Sequence, residues 1–137
     1  MKDKVFIDTN IFVYAALLDK QGNTKHEMAV DLIQKELNVV VSTQILNEFY
    51  NALLKHNIKD AQIVEYSNEI AKNVKISSQN IETLRKAWRI KAKYQFSLWD
   101  SLVLASALQN DCSILYTEDL QHNQIIENTL KIVNPFK

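Results

Sequence analysis

The stretch KVFIDTNIFVY, residues 4–14, decides the predicted fold. Its apolar residues Val5–Ile7 are typical of a short buried strand, and Asp8, Thr9 and Asn10 follow them at once. A carboxylate at the end of a buried strand costs free energy unless another group pairs with it. We therefore expect Asp8 to lie where other polar parts of the chain come together.

The composition narrows the class of protein. The chain has 137 residues, of which 47% are apolar, so we expect one domain spanning 1–137 with a substantial core. Sixteen basic residues balance sixteen acidic ones, so net charge alone does not indicate a nucleic-acid-binding protein. Gly22 is the only glycine, which excludes a Rossmann fingerprint and a P-loop. Cys112 is the only cysteine, which excludes a disulfide within one chain, and we expect it in the core.

No targeting or membrane segment is predicted. The N-terminal residues lead directly into the first predicted strand, without the apolar stretch of a signal peptide. No apolar run approaches the roughly 20 residues that span a bilayer. The sequence therefore predicts a cytoplasmic protein that does not contact a membrane.

Short apolar runs alternate with amphipathic segments along the whole chain. Five strands are predicted, at Val5–Ile7, Val39–Val41, Val74–Ile76, Ile114–Tyr116 and Leu130–Val133. Helical segments separate these strands, which is typical of parallel sheets covered on both faces. The predicted fold is α/β, with a doubly wound, mainly parallel five-stranded sheet and helices on both faces.

The helix starts are predicted at side chains that can accept a hydrogen bond from a free backbone N–H group. The predicted caps, in chain order, are Asn10, Thr24, Ser42 or Thr43, Ser77 or Ser78, and Ser97. A polar loop is predicted at 19–23. In the second helix, Met28 is expected to face the core.

Four acidic residues fall near the expected carboxyl ends of the strands. Asp8 follows the first strand and Asp119 follows the fourth, while Glu48 and Asp100 lie early in two of the predicted helices. Ligands of open parallel sheets bind at this edge, and isolated acids are seldom placed among apolar neighbours as these are. We therefore expect the four carboxylates to meet in one pocket.

Four carboxylates in one pocket raise each other's pKa by repulsion, and a divalent cation relieves that repulsion. Oxygen-only ligands favour Mg²⁺ or Mn²⁺ over zinc or copper. Such an ion activates a water and neutralises the charge that develops on a phosphodiester. The pattern therefore predicts a metal-dependent phosphoryl-transfer site, most simply that of a nuclease.

Each acid also has an ordinary explanation when it is taken alone. Asp8 can cap the following helix, and Asp119 can be a turn residue. Asp100 stands three residues after Ser97, where an anion favours a helix by about 0.3–1 kcal/mol. Glu48 can be a surface glutamate. The metal-site interpretation depends on all four acids together.

The basic residues allow two interpretations. The run 85–93 contains Arg85, Lys86 and Arg89, which can contact an RNA backbone. The favoured alternative is a solvated basic helix face with Trp88 turned to the core. The three histidines are spread along the chain, and no histidine metal site is expected.

Four segments together resemble the PIN-domain nucleases, and more narrowly the VapC toxins of bacterial toxin–antitoxin modules. The resemblance extends from Val5 to about Pro135. The segments are FIDTNIFVYA (6–15), STQILNEFYNAL (42–53), FSLWDSLVLASAL (96–108) and ILYTEDL (114–120).

The resemblance implies a doubly wound α/β domain with endoribonuclease activity that depends on Mg²⁺ or Mn²⁺. The acidic quartet of the family maps onto four residues, Asp8, Glu48, Asp100 and Asp119. It also implies an RNA substrate, a homodimer, and a cognate antitoxin whose C-terminal segment lies over the acidic groove, often with an inserted Arg or Lys.

The same resemblance implies supporting roles for polar residues next to the acids. Thr9 or Asn10, and Thr117, are expected to orient ligands and water. Glu118 either assists Asp119 or faces solvent, since the family's acid is the one that stands two residues after the hydroxyl.

Two other functions are compatible with part of this pattern. Haloacid-dehalogenase-like phosphatases also place an Asp after the first strand, but they need a second acid two residues on, where this chain has Asn10. A catalytically silent PIN-like RNA-binding module would bind an ion without turnover.

Overall fold

The computed structural model of the chain describes residues 3–18 and 24–137, so the predicted loop at 19–23 lies outside the described residues. Within these ranges there are six strands and six helices. In chain order they are β1 (Val5–Ile7), α1 (Thr9–Ala16), α2 (Thr24–Lys35), β2 (Val39–Ser42), α3 (Thr43–Lys55), α4 (Asp60–Asn73), β3 (Lys75–Ser77), α5 (Ile81–Tyr94), α6 (Leu98–Gln109), β4 (Ile114–Tyr116), β5 (Ile125–Ile126) and β6 (Leu130–Val133).

The strands form one sheet in the order β3-β2-β1-β4-β6-β5, and every neighbouring pair except β5–β6 is parallel. The predicted α/β class with a mainly parallel sheet is therefore confirmed. All three residues of β1 and all four of β2 are buried. Because successive side chains of a strand point to opposite faces, this burial means that helices cover both faces of the central strands.

The predicted number of five strands is wrong, because β5 was missed. This strand has two residues and pairs antiparallel with β6 through Ile126 and Leu130. The connecting turn places Glu127 and Asn128 at φ angles of +50° and +62°, in the left-handed region. A two-residue strand carries no detectable period in the sequence, so the pattern could not indicate it.

The strand order reverses beside β1, because the chain moves outward through β2 and β3 and then returns to β4 on the other side. Ile7 pairs with Tyr116, and the backbone N–H of Asp8 donates to the Tyr116 carbonyl at 3.0 Å. In open α/β sheets, ligands bind in the crevice that such a reversal opens at the carboxyl ends of the strands. The fold thus places Asp8 directly beside Thr117.

The helix caps differ from prediction at several places. Ser42 stands directly before α3, but its side chain accepts no hydrogen bond from the helix. Asp8, not Asn10, caps α1, because its Oδ1 accepts from the Thr9 N–H at 2.8 Å. Asn80, rather than either predicted serine, caps α5 and forms a reciprocal capping box with Thr83. The serine prediction failed because β3 continues through Ser77. The predicted cap Ser97 is observed, and it accepts from the backbone N–H of Asp100.

Two residues predicted to face the core are exposed. Trp88 is 51% exposed and Met28 is 39% exposed. On α5 the buried face passes through Ala87 and Ile90. Trp88 follows Ala87 and is turned about 100° away from that face. The predicted core residue Cys112 is only 3% exposed, and burial raises the pKa of its thiol to about 12.

No helix among the described residues is both long and apolar enough to cross a membrane.

The cap of α5 is testable by unfolding in urea. Asn80→Ala removes the acceptor for the Thr83 N–H, and we expect it to lower the free energy of unfolding by about 1 kcal/mol. Ser78→Ala is the matched control, because Ser78 is exposed and lies outside the helix. An equal cost for the two variants would contradict the assignment of the cap.

Candidate active site

A pocket of about 520 Å³ opens at the carboxyl edge of the sheet, and all four of the acids predicted to meet lie in its wall. They come from four separate parts of the fold, namely the ends of β1 and β4, helix α3 and the first turn of α6. The pocket is lined by Asp8, Thr9, Asn10, Val13, Tyr14, Glu48, Ala52, His56, Trp99, Asp100, Val103 and Asp119.

Asp8 is the most deeply buried of these acids, with 6% of its surface exposed. Its Oδ1 accepts from the Thr9 backbone N–H and its Oδ2 from the Thr117 hydroxyl, both at 2.8 Å. Burial raises the pKa of Asp8 to about 6, although both hydrogen bonds lower it, and the charges of Asp119 and Glu48 raise it further. The ionised carboxylate is therefore held at a cost that a nearby cation would offset.

Glu48 is joined to Asp8 through Thr9. The Thr9 hydroxyl donates to Glu48 Oε1 at 3.1 Å, while the Thr9 backbone N–H donates to Asp8. The second oxygen of Glu48 accepts from Gln44 Nε2 at 3.4 Å, one helical turn away on α3. These contacts fix the direction of the Glu48 carboxylate toward the pocket.

The buried hydroxyl of Thr117 connects three of the polar residues. It donates to Asp8 and accepts from the backbone N–H of Asp119 at 3.1 Å and from Asn10 Nδ2 at 3.4 Å. Asn10 Nδ2 also donates to Asp119 Oδ2 at 2.9 Å, and Asn10 Oδ1 accepts from the Glu118 N–H at 3.4 Å. Asp119 is exposed, so these bonds are what orient it.

Asp100 completes the acidic set from the first turn of α6. Its side chain is half-buried, and its backbone N–H donates to Ser97 Oγ at 3.1 Å. Burial raises the pKa of the Asp100 carboxyl above its usual value and the charge of Asp119 adds to this, while a hydrogen bond from the Ser97 side chain to the carboxyl partly lowers it. The capping role and the pocket position therefore coexist, because they use different atoms of the same residue.

Glu118 does not line the pocket, and it does not simply face solvent. It accepts from the Tyr14 hydroxyl at 2.6 Å and forms an ion pair with Lys25. Burial raises the pKa of Glu118, but the hydrogen bonds from Lys25 and Tyr14 outweigh this and hold the pKa below its usual range. Through these two contacts, Glu118 links the segment after β4 to helices α1 and α2.

The basic residues predicted to contact RNA lie outside the pocket wall. Arg85, Lys86 and Arg89 are on α5, and Arg85 forms an ion pair with Glu82 at 2.8 Å.

Sequence reasoning missed several residues of the wall, including Tyr14, His56 and Trp99. For Trp99 there was a signal, since it directly precedes Asp100. For His56 there was none, because it stands at the far end of α3 and reaches the pocket only through the helix packing.

The donor set fits a hard divalent cation. Four carboxylates line the pocket and no lysine or arginine does so among the described residues. In the same residues, no three His, Cys, Asp or Glu side chains stand close enough together to hold one ion without a movement of the side chains. One or two carboxylates suffice for Mg²⁺, which keeps several waters and binds substrate phosphate as well.

The connecting role of Thr117 predicts a stability effect. Thr117→Val keeps the shape but leaves Asp8 Oδ2 and the Asp119 N–H without their partner, and we expect the free energy of unfolding to fall by about 1–3 kcal/mol. Urea unfolding at neutral pH measures it. Thr129→Val is the matched control, since Thr129 is exposed in the β5–β6 turn. No difference between the two would refute the connecting role.

Three solved structures share this architecture. The toxin–antitoxin complex from Klebsiella pneumoniae matches with a TM-score of 0.72 and 16% identity, covering 96% of this chain and 98% of that one. The sarcin–ricin-loop-cleaving toxin VapC20 of Mycobacterium tuberculosis matches with a TM-score of 0.70 and 16% identity, covering 85% and 92%. VapBC2 of Rickettsia felis, bound to a fragment of its promoter DNA, matches with a TM-score of 0.67 and 17% identity, covering 95% and 98%.

At these identities the structural matches show a shared fold. The comparison with curated proteins gives no significant match. The family model described as PIN domain matches residues 5–127, which is most of the chain. The protein therefore belongs to the PIN-domain family.

Proposed function

We propose that this protein is an endoribonuclease that depends on Mg²⁺ or Mn²⁺ and hydrolyses RNA phosphodiester bonds. The observation that supports this most directly is the meeting of Asp8, Glu48, Asp100 and Asp119 in one pocket, to whose wall the described part of the chain contributes no lysine or arginine. Membership of the PIN-domain family supports the same activity.

We propose a separate role for each pair of the four acids. Asp8 and Asp100 would hold the ion, and Asp119 and Glu48 would complete the set by holding waters. When bound, the ion supplies a Lewis acid that activates water and neutralises charge on the phosphodiester. Thr9, Asn10 and Thr117 keep the acids oriented through the hydrogen bonds already described. Hydrolysis adds one water across a P–O ester bond, and the released oxygen takes the proton.

The activity is tested with two single variants, each of which removes one acidic charge near one end of α6. Asp100→Asn removes an acid of the pocket, and we expect RNA cleavage to fall by at least 10- to 100-fold. Asp111→Asn removes an exposed acid just beyond the other end of the helix, and asparagine tolerates its positive φ of 58°. We expect this control to cleave as the parent does. Cleavage of total RNA followed on gels measures both, and an Asp100→Asn protein as active as the parent would refute the mechanism.

Metal binding is tested separately through stability. Because Mg²⁺ binds the folded chain, we expect it to raise the free energy of unfolding, by about 2.7 kcal/mol at 100 times its dissociation constant. Thermal melting of the parent and of Asp111→Asn should show this gain, and Asp100→Asn should lose most of it. An unchanged melting temperature in both Mg²⁺ and Mn²⁺ would exclude the metal site. A metal-dependent gain without cleavage of any RNA would instead favour a catalytically silent binding module.

We also propose that the protein is the toxin of a toxin–antitoxin pair. The similar structures from Klebsiella pneumoniae and Rickettsia felis are of toxin–antitoxin assemblies. An acidic pocket is complementary to an inserted Arg or Lys of an antitoxin, and no lysine or arginine of residues 3–18 or 24–137 lines this one. A homodimer, a cytoplasmic location and RNA contacts through Arg85, Lys86 and Arg89 belong to the same proposal, by resemblance to the VapC toxins.

A further inference from the structure

A second cavity, of about 500 Å³, adjoins the acidic pocket and shares Glu48 and Trp99 with it. We call it the amide groove, after the carboxamides in its wall, which belong to Gln44, Asn47, Asn51 and Gln79. None of the lysines or arginines that the structure describes lines it. The one charged residue among the described residues of this wall is the carboxylate Glu48, which repels a phosphate, while the carboxamides offer both donors and acceptors to a neutral polar ligand.

Two of the carboxamides are held in place by the fold. Gln79 Nε2 donates to the buried Ser106 Oγ at 3.1 Å and to Gln44 Oε1 at 2.7 Å. Gln44 Nε2 in turn donates to the Trp99 carbonyl at 3.3 Å and to Glu48. This chain of hydrogen bonds fixes the floor of the groove relative to the acidic pocket.

The other two carboxamides are available. Asn47 and Asn51 stand one helical turn apart on α3 and are exposed. Their side chains make no hydrogen bond within 3–18 and 24–137. Because residues four apart share a helix face, both amides can meet the edge of one planar ligand.

Trp99 forms the boundary between the two cavities. Its side chain is 63% exposed, in the first turn of α6 and directly before Asp100. Packing does not explain an indole in this position, since most of its surface is outside the core. An exposed indole beside free carboxamides suits a nucleobase, which stacks on aromatic faces and hydrogen-bonds along its edge.

We propose that the amide groove binds one unpaired base of single-stranded RNA, next to the phosphodiester that lies at the acidic pocket. Trp99 stacks on the base, and Asn47 and Asn51 bind its edge. This inference rests on the proposed endoribonuclease function, because the shared residues Glu48 and Trp99 place the base beside the scissile bond.

The chain has two tryptophans, Trp88 and Trp99, and both are largely exposed. The pair gives a matched experiment, because Trp88 lines neither cavity. Trp88→Phe leaves Trp99 as the single indole reporter, and Trp99→Phe leaves Trp88. Both full-length proteins are titrated with short oligomers of A, of C and of U in Ca²⁺, and gels verify that the RNA stays intact.

We expect saturable quenching of Trp99 fluorescence, and a much smaller change at Trp88, which lines neither cavity although it lies near the basic residues of α5. In anisotropy titrations with the same oligomers, labelled, Trp99→Ala should weaken binding about 5- to 150-fold. Trp99→Phe should retain most of the affinity, and Trp88→Ala should bind within twofold of the parent. Thermal melting checks that the variants are folded. Asn51→Leu should change the order of preference among the three oligomers, which a loss of stacking alone would not do.

The outcomes separate this inference from the proposed function. If the parent cleaves RNA while Trp99 fluorescence stays constant and Trp99→Ala binds as the parent does, the inference is wrong and the nuclease function stands. If Asp100→Asn cleaves as the parent does, the proposed mechanism is wrong whatever Trp99 reports. If Trp99→Ala weakens the binding of a protein partner but not the binding of RNA, the groove is a protein-docking surface and the inference is overturned.

Discussion

The whole site depends on the burial of one carboxylate at the junction of β1 and β4. The backbone of Asp8 continues the sheet toward Tyr116, its Oδ1 caps α1, and its Oδ2 accepts from Thr117. One residue therefore ends a strand, begins a helix and joins two distant segments. Burial disfavours its charge, which is why its pKa rises to about 6. A buried carboxylate of this kind is stabilised either by taking up a proton or by binding a cation. Perturbed carboxylates that can bind a cation are common in functional sites.

The fold class and the meeting of the acids were predictable because each has a local signal. Continuous apolar runs between helices indicate a buried parallel sheet, and acids that follow strands of such a sheet reach one edge. Two features had no such signal. Strand β5 is too short for a period, and the start of α5 depends on how far β3 pairs with β2, through Ser42 and Ser77. Strand pairing depends on the whole folded chain and not on local sequence. A serine close to the start of α5 was therefore a misleading signal for its cap.

The tryptophans show a different limit of sequence reasoning. A large aromatic residue in an amphipathic helix is normally assigned to the core, yet Trp88 and Trp99 are both more than half exposed. The amide groove was equally hidden, because Gln44 and Gln79 come from separate parts of the chain and meet only in the folded protein. Asn10 argues against a phosphatase and is also expected from the sequence to orient ligands, but its partner comes from a distant segment: its Nδ2 donates to Asp119.

The two edges of the sheet have a consequence for assembly. One edge is β3, which has three residues and includes an exposed lysine, Lys75. The opposite edge is β5, a two-residue strand that runs against its neighbour. Short and charged borders of this kind discourage another chain from adding its own strand to the ladder. Copies of this protein that associate would therefore be joined by their helical surfaces, and the outer backbone groups of β3 and β5 would stay with solvent rather than with another sheet.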